Sequence, residues 1–186
     1  RIVLISLFQH EGFHLKDVEI ELVCELIKNS RRSDRELAKL IGVSQPTITR
    51  TRTRLEREGV IHYTGAADLR KLGYEMIAMT FGNWKHQQYS DTRVPQAKDF
   101  ITTHPNIIFV STGRGNNSDR VAISIHRNFS DYSMFMQEIR SQWGDYMEIT
   151  YSFLVSLDSD NVLRPLSLRY IAECLEKQKS WQRNKA

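Results

Sequence analysis

A pair of short predicted helices joined by a very tight turn constrains the fold of this chain most. Ser33-Asp34-Arg35-Glu36 has the spacing of a capping box, in which the serine and glutamate side chains satisfy the first free backbone amides of a helix. Gly42 is typical of a helix C-terminus, and Ser44 caps the next helix only two positions later, with Pro46 tolerated in its first turn. A turn this short makes the two helices cross steeply. The pattern therefore predicts a helix-turn-helix.

Flanking segments complete a small helical domain. A preceding helix is predicted from about Asp17, which can cap it, to Asn29, and acidic residues occupy its first turn. The helical spacing of apolar residues predicts buried positions on the first two helices: Ile20, Val23, Cys24, Ile27, Leu37, Leu40 and Ile41. The third helix runs to about Glu58 and stops at Gly59. The segment 60–63 then alternates weakly before Thr64-Gly65, which predicts a small β wing.

The third helix has a face suited to DNA. With Ile48 and Leu55 pointing inward, the outward arc is cationic and rich in threonine, and residues 47–54 include three arginines and no acid. A solvated helix face is the alternative, but such a face would be expected to carry salt-bridging glutamates instead of threonines. Guanidinium and hydroxyl groups suit phosphates and base edges in the major groove. The candidate DNA-binding residues are Ser44, Gln45, Thr47, Thr49, Arg50, Thr53, Arg54 and Arg57.

These residues carry a family resemblance. The stretch LAKLIGVSQPTITR, followed by RLEREGVI, resembles the winged helix-turn-helix of the Lrp/AsnC transcription regulators. The resemblance implies a sequence-specific regulator that binds double-stranded DNA. Arg52 departs from the family pattern, which usually has an apolar residue there. We expect its aliphatic stem to cover the edge of the core while its head reaches solvent or DNA.

The remainder of the chain predicts a second domain with the order βαββαβ. Strands are expected over 74–82, 107–111 and 121–126, and helices over 95–104 and from Phe129 to Trp143. In the last strand Met147, Ile149, Tyr151, Phe153, Val155 and Leu157 are expected to face one way. The fold class is therefore α+β, with a winged helix-turn-helix followed by a ferredoxin-like domain and a C-terminal helix. Two helices cover only one face of a four-stranded sheet, so the bare face predicts a homodimer.

The second domain also resembles the ligand-sensing and dimerising domain of the same family, through HPNIIFVSTGRGNNSD. The resemblance implies assembly as a homodimer or higher homo-oligomer and a small effector such as an amino acid. Arginine and backbone amides would suit its carboxylate, and aspartate its ammonium group. The alternative is a long hairpin turn, rich in glycine and asparagine because turns need them. The candidate effector-binding residues are Ser111, Thr112, Gly113, Arg114 and Asp119.

The predicted domain boundaries leave two terminal segments. An N-terminal extension (1–14) precedes the DNA-binding domain (15–66), and a linker (67–73) leads to the ferredoxin-like domain (74–158). The C-terminal tail (159–186) includes a predicted helix beginning at Pro165, and residues 161–186 hold six basic and two acidic side chains. Packing of this helix against the dimer is the favoured interpretation. Contact of its basic residues with DNA is the alternative.

Composition and motifs argue against other classes. The hydrophobic fraction of 40% excludes wholesale disorder, and the net charge of +4 is modest. Two distant cysteines form no disulfide framework, and no apolar run is long enough to span a bilayer, so a cytoplasmic protein without a membrane partner is expected. No motif indicates a metal, a cofactor or catalytic residues. The rival is a siroheme decarboxylase-like enzyme with the same two domains, but VIHYTGAAD lacks the arginines that such relatives carry after the wing.

Overall fold

The structure, a computed structural model, describes residues 15–85, 93–158 and 160–183, so the predicted N-terminal extension lies outside the described residues. It divides into two compact units, one comprising the described residues up to Gly65 with those from Leu166 onward, and the other Ala66–Pro165. The elements in chain order are α1 (Asp17–Lys28), α2 (Asp34–Ile41), α3 (Gln45–Arg57), β1 (Met76–Trp84), α4 (Arg93–Thr103), β2 (Ile107–Gly115), β3 (Ser118–His126), α5 (Phe129–Trp143), β4 (Met147–Ser156) and α6 (Arg169–Arg183).

Caps define the ends of the helices in the first unit. The capping box before α2 is confirmed, because the Ser33 amide donates to Glu36 Oε2 at 2.8 Å and the Glu36 amide donates to Ser33 Oγ at 3.3 Å. Gly42 ends α2 in the left-handed region with φ 81°, where a side chain would strain the backbone. Asp17 is the first residue of α1 and not its cap. The capping residue is Lys16, whose backbone amide donates to Glu19 Oε2 at 2.9 Å.

Helices α1, α2 and α3 share one apolar core. Its fully or almost fully buried side chains are Leu22, Leu26, Leu37, Ile48 and Leu55. The predicted stripe on α1 is shifted, since Ile20 and Ile27 are only half-buried while Val23 and Cys24 are buried as expected. Leu40 is 59% exposed, so its predicted burial is wrong. Ala38 and Ile41 lie on the same side of α2 as Leu37, whereas Leu40 lies on the outer side.

The segment after α3 is not a β wing. Val60 N donates to Leu55 O at 2.9 Å, which closes the helix end, and no strand forms over residues 60–68. A hairpin needs a second strand, and the polar stretch after Thr64-Gly65 supplies none that pairs with it. Val60 and Ile61 instead pack against the edge of the helical core.

The C-terminal helix belongs to the first unit. Helix α6 packs along α1, where Ala172 is fully buried and its carbonyl oxygen accepts from Cys24 Sγ at 3.7 Å. Lys28 at the end of α1 also pairs with Glu176 of α6. A small residue thus lets α6 approach α1 closely, and the first unit has four helices among the described residues. Packing of the tail against a dimer stays a prediction.

The second unit has the predicted βαββαβ order. Its four strands form one antiparallel sheet with the spatial order β2-β3-β1-β4, which confirms the ferredoxin-like prediction. Helix α5 contributes the buried residues Phe135, Met136 and Ile139, and the partly buried Phe100 of α4 packs against them. Ala78 and Ser124, two small residues of the sheet, are almost completely buried.

A bulge divides the side chains of β4 between the two faces of the sheet. Tyr151 lies opposite Phe81, but Ile149 lies opposite the next residue, Gly82, so the register shifts by one. Met147 and Ile149 therefore pack under α5, whereas Tyr151 stacks on Phe81 with ring centroids 4.6 Å apart. The expectation that all six alternate residues face one way is wrong. Close approach explains the position of Gly82, because a Cβ there would lie 2.5 Å from Glu148 O.

Apolar side chains populate the sheet face that points away from α4 and α5. Phe109 and Phe153 are 50% and 63% exposed, although both are large hydrophobic residues. Alternation along the strands places further apolar residues on the same face: Ile77, Met79, Phe81, Val121, Ile123, Tyr151 and Val155. We call this set, with Phe109 and Phe153, the open sheet face.

A buried histidine is expected to make the stability of the second unit depend on pH. His126 is fully buried, with Nε2 2.8 Å from Ser124 Oγ, and burial lowers its pKa, with His104 acting in the same direction and Asp131 opposing it. The unfolded chain then binds more protons, so the free energy of unfolding should decrease as the pH falls below about 6.5.

Urea unfolding from pH 8 to pH 5, followed by hydrogen exchange in the second unit, measures this dependence. His126→Phe preserves ring contacts with Tyr132 and Phe135 and should flatten the profile, whereas His62→Gln, at an exposed position in the first unit, should not. Equal slopes for wild type and His126→Phe would contradict the assignment.

Candidate nucleic-acid interface and effector loop

Helix α3 presents one buried and one exposed side, as its sequence predicts. Ile48 and Leu55 are completely buried in the helical core. On the opposite side Pro46, Arg50, Thr53 and Arg57 are exposed, and Gln45 is exposed in the first turn. We call these five residues the α3 outer face. Arg50 Nε donates to Pro46 O at 3.3 Å, which places its guanidinium along the helix.

The beginning of α3 favours anions. Ser44 Oγ accepts from the Thr47 amide at 3.3 Å and lies 2.8 Å from Thr47 Oγ1, so both predicted residues lie at the helix start. The first turn contains no acidic residue. Free backbone amides and the helix dipole at such an end attract phosphate groups.

Two predicted DNA-binding residues are engaged within the first unit. Thr49 Oγ1 donates to Asp34 Oδ2 at 2.6 Å. Arg54 pairs with Glu19 of α1 and, at 3.4 Å, with Glu58. Their side chains thus join α3 to its neighbours and lie off the α3 outer face. The helical pattern of α3 alone could not predict these contacts, because Asp34 and Glu19 belong to other helices.

Arg52 connects α3 to α2 and to the segment after α3. Its Nη1 lies 3.0 Å from Asp34 Oδ1, and its Nε lies 3.1 Å from Glu56 Oε1 and 2.8 Å from Tyr63 Oη. The guanidinium carbon is also 5.1 Å from the centre of the Tyr63 ring. The expectation that the head of Arg52 reaches solvent or DNA is therefore wrong.

The hydrogen bond from Thr49, aided by the Arg52 guanidinium, lowers the pKa of the Asp34 carboxyl. Asp34 stays ionised and holds both side chains of α3. Sequence reasoning missed this network because Asp34 was interpreted only as part of a capping box.

The predicted effector loop is a short hairpin turn. Only Asn116 and Asn117 form the turn, both with positive φ, and β2 continues to Gly115. The polar turn is thus shorter than the predicted stretch from Gly113, since asparagine tolerates the left-handed region. Four of the five candidate effector residues nevertheless surround one surface pocket, which is lined by Thr112, Gly113, Arg114, Asp119 and Arg120. Ser111 lines a different cavity.

Asp119 is fixed at the base of this surface pocket. Its backbone amide donates to Asn83 Oδ1 at 3.0 Å, and its carboxylate accepts from the Trp84 amide at 3.4 Å. The same carboxylate lies 3.4 Å from Arg120 Nη1. The pocket therefore combines two guanidinium groups with one carboxylate, and sequence reasoning missed Arg120 because it lies beyond the turn.

The described residues contain neither a metal-binding cluster nor a membrane-spanning helix. No group of three or more histidine, cysteine, aspartate or glutamate side chains is arranged to hold a metal ion within those ranges. None of the helices found there is long and apolar enough to cross a membrane.

Comparison with known proteins agrees with this architecture. Residues 15–62 match a family described as winged helix-turn-helix DNA-binding. The HTH-type transcriptional regulator LrpC of Bacillus subtilis is 34% identical over 96 residues, which are 51% of this chain and 63% of that protein. An uncharacterized HTH-type transcriptional regulator of Pyrococcus furiosus is 28% identical over 152 residues, which are 81% of this chain and 99% of the relative. The matched segment is thus similar to a winged helix-turn-helix DNA-binding domain, and these relatives are named as HTH-type transcriptional regulators.

Solved structures of other proteins share the fold of this chain. The structure of B. subtilis LrpC superposes with a TM-score of 0.66 at 23% identity, covering 83% of this chain and 99% of LrpC. A transcriptional regulator of Neisseria meningitidis in complex with L-Met gives a TM-score of 0.67 at 15% identity, covering 83% of this chain and 96% of that one. At these identities the likeness concerns the fold.

Proposed function

We propose that this chain is a sequence-specific transcription regulator that binds double-stranded DNA through α3. The observation that carries the proposal is the α3 outer face, which stands opposite Ile48 and Leu55 and bears the exposed residues Arg50 and Arg57. Neither arginine forms an ion pair with the described residues, in contrast to Arg52 and Arg54. Guanidinium groups without an ion-pair partner, on a helix that can enter the major groove, suit guanine edges and phosphates. The proposal assigns no catalytic residue.

The open sheet face supports a homodimer as the DNA-binding species. Half-exposed phenylalanines beside stacked aromatic rings form an apolar surface that a second copy can cover by two-fold symmetry. Two α3 helices related by a two-fold axis read pseudo-palindromic DNA, with half-site centres about 34 Å, or a multiple of it, apart.

Selection of bound fragments from random DNA tests the proposal in one experiment. We expect an enriched pseudo-palindrome whose half-sites lie one helical turn or a multiple apart, together with a dimeric or larger mass by light scattering at micromolar concentration. Absence of any enriched sequence would contradict specific recognition, and a monomeric mass would contradict the dimer.

The surface pocket beside the hairpin supports an amino-acid effector. Arg114 and Arg120 suit a carboxylate, and Asp119 suits an ammonium group. A protein with the same fold was solved in complex with L-Met.

Thermal unfolding with each of the twenty amino acids is the test of this site, and a true ligand at a hundredfold excess over Kd should stabilise the chain by about 2.7 kcal/mol. Asp119→Ala should abolish this stabilisation. If none of the amino acids stabilises the chain at millimolar concentration, the proposal of an amino-acid effector is wrong and dimerisation is the remaining role of the domain.

A further inference from the structure

A second cavity, open on one side, lies between the sheet and its two helices. Its volume is about 260 Å³, and Trp84, Phe100, Ile101, Trp143 and Met147 contribute apolar side chains to its wall. Protein interiors are normally close-packed, and an engineered apolar cavity of roughly 150 Å³ is already large enough to bind benzene. The cavity therefore has room for one aromatic ring or a branched chain of similar size.

The polar groups of the cavity wall favour a carboxylate over a zwitterion. Arg120 is the charged residue among the described lining residues, and none of those residues is acidic. Its Nη1 donates to Asp119 O at 2.9 Å and lies 3.4 Å from the Asp119 carboxylate, so the guanidinium retains donors for another partner. Asp119 lines the surface pocket but not this cavity, which leaves an ammonium group without a counter-ion here.

Trp143, one of the residues that line the cavity, carries an unused donor. The residue is only 6% exposed, and its Nε1 has no hydrogen-bond partner among the described residues. Buried indole N–H groups usually find an acceptor. The site thus offers an apolar chamber, a cation and a spare donor, which together resemble the chemistry of small-molecule sites.

We propose that this cavity binds a small monocarboxylic acid with an aromatic or branched apolar tail and no amino group. The tail occupies the chamber under α4 and α5, and the carboxylate pairs with Arg120. Because Arg120 and Thr112 line both the cavity and the surface pocket, an occupant of the cavity lies next to the proposed amino-acid site.

Titration of the full chain with 3-phenylpropionate, followed by the indole N–H resonances, tests the proposal. The chain has three tryptophans, of which Trp84 and Trp143 line the cavity and Trp181 belongs to α6. We expect the resonances of Trp84 and Trp143 to shift in a saturable way while Trp181 serves as the internal reference. The neutral analogue 3-phenylpropanol should bind about tenfold or more weakly, which is the scale of one charge-assisted hydrogen bond.

Two kinds of variant separate the cavity from the surface pocket. Ala122→Leu on β3 and Ala97→Leu on α4 each fill the cavity and should abolish the shifts, and the second remains informative if the first does not fold. Arg120→Gln should remove the preference for the acid over the alcohol. Arg114 lines the surface pocket but not the cavity, so Arg114→Gln should leave the binding of 3-phenylpropionate unchanged. No saturable shift in wild type at millimolar acid, or binding that survives both filling substitutions, would overturn the proposal whatever the result with DNA.

Discussion

Replacing Ile48 by alanine is expected to destabilise the first unit by roughly 2–5 kcal/mol. Ile48 is completely buried where α3 meets α1 and α2, beside Leu22 and Leu37, which are also fully buried. Deleting its outer carbons removes apolar contacts and leaves a cavity that three packed helices cannot close. Such a loss is a large fraction of the stability of a small domain. We therefore expect the DNA-binding unit to unfold at a lower denaturant concentration than the ferredoxin-like unit.

Hydrogen exchange measured at increasing urea concentration resolves the two units and provides the test. Leu40→Ala is a matched control, since it also shortens an aliphatic side chain of the first unit but at a position that is 59% exposed. Its effect should stay within about 0.5 kcal/mol. Equal destabilisation by the two substitutions would show that Ile48 does not occupy the core as described.

Local patterns were sufficient to predict the helices and their connections. The cap at Ser33, the stop at Gly42 and the inward pair Ile48 and Leu55 depend on neighbours within one or two helical turns, and all are confirmed. The predicted wing failed because a strand needs a partner, and pairing is decided by distant residues. The prediction that alternate residues of β4 all face one way failed for a related reason. The bulge is an extra residue in one strand, and it becomes apparent only when β4 is paired with β1.

The electrostatic detail of the site required the tertiary structure. Phasing of α3 correctly placed Arg50 and Arg57 outside. It could not show that Glu19 of α1 pairs with Arg54, or that Asp34 pairs with Arg52, because these contacts join residues 35 and 18 positions apart. The C-terminal helix is a similar case: the sequence predicts a helix in the tail, but only the structure shows that it packs along α1.

The contrast among the arginines of α3 leads to the second large expected effect, which concerns DNA. Arg50→Ala should weaken binding to the selected DNA by about 1–3 kcal/mol without changing thermal stability. Arg50 is exposed on the α3 outer face and has no ion pair within the described residues, so its loss breaks only one hydrogen bond within the protein, from its Nε to Pro46 O. In the complex with DNA, the substitution would remove either two hydrogen bonds to a guanine edge or one phosphate contact.

The form of the loss identifies the contact. A base contact predicts relaxed specificity at one position of the half-site, whereas a phosphate contact predicts a uniform loss and a salt slope that falls by about 1. Arg127→Ala removes the same charge from an exposed position of the second unit and controls for net charge. If Arg50→Ala binds with wild-type affinity and salt dependence, Arg50 is not part of the interface. If Arg127→Ala is equally weakened, general electrostatic attraction and not the α3 outer face accounts for the binding, because only a local contact distinguishes two arginines of equal charge.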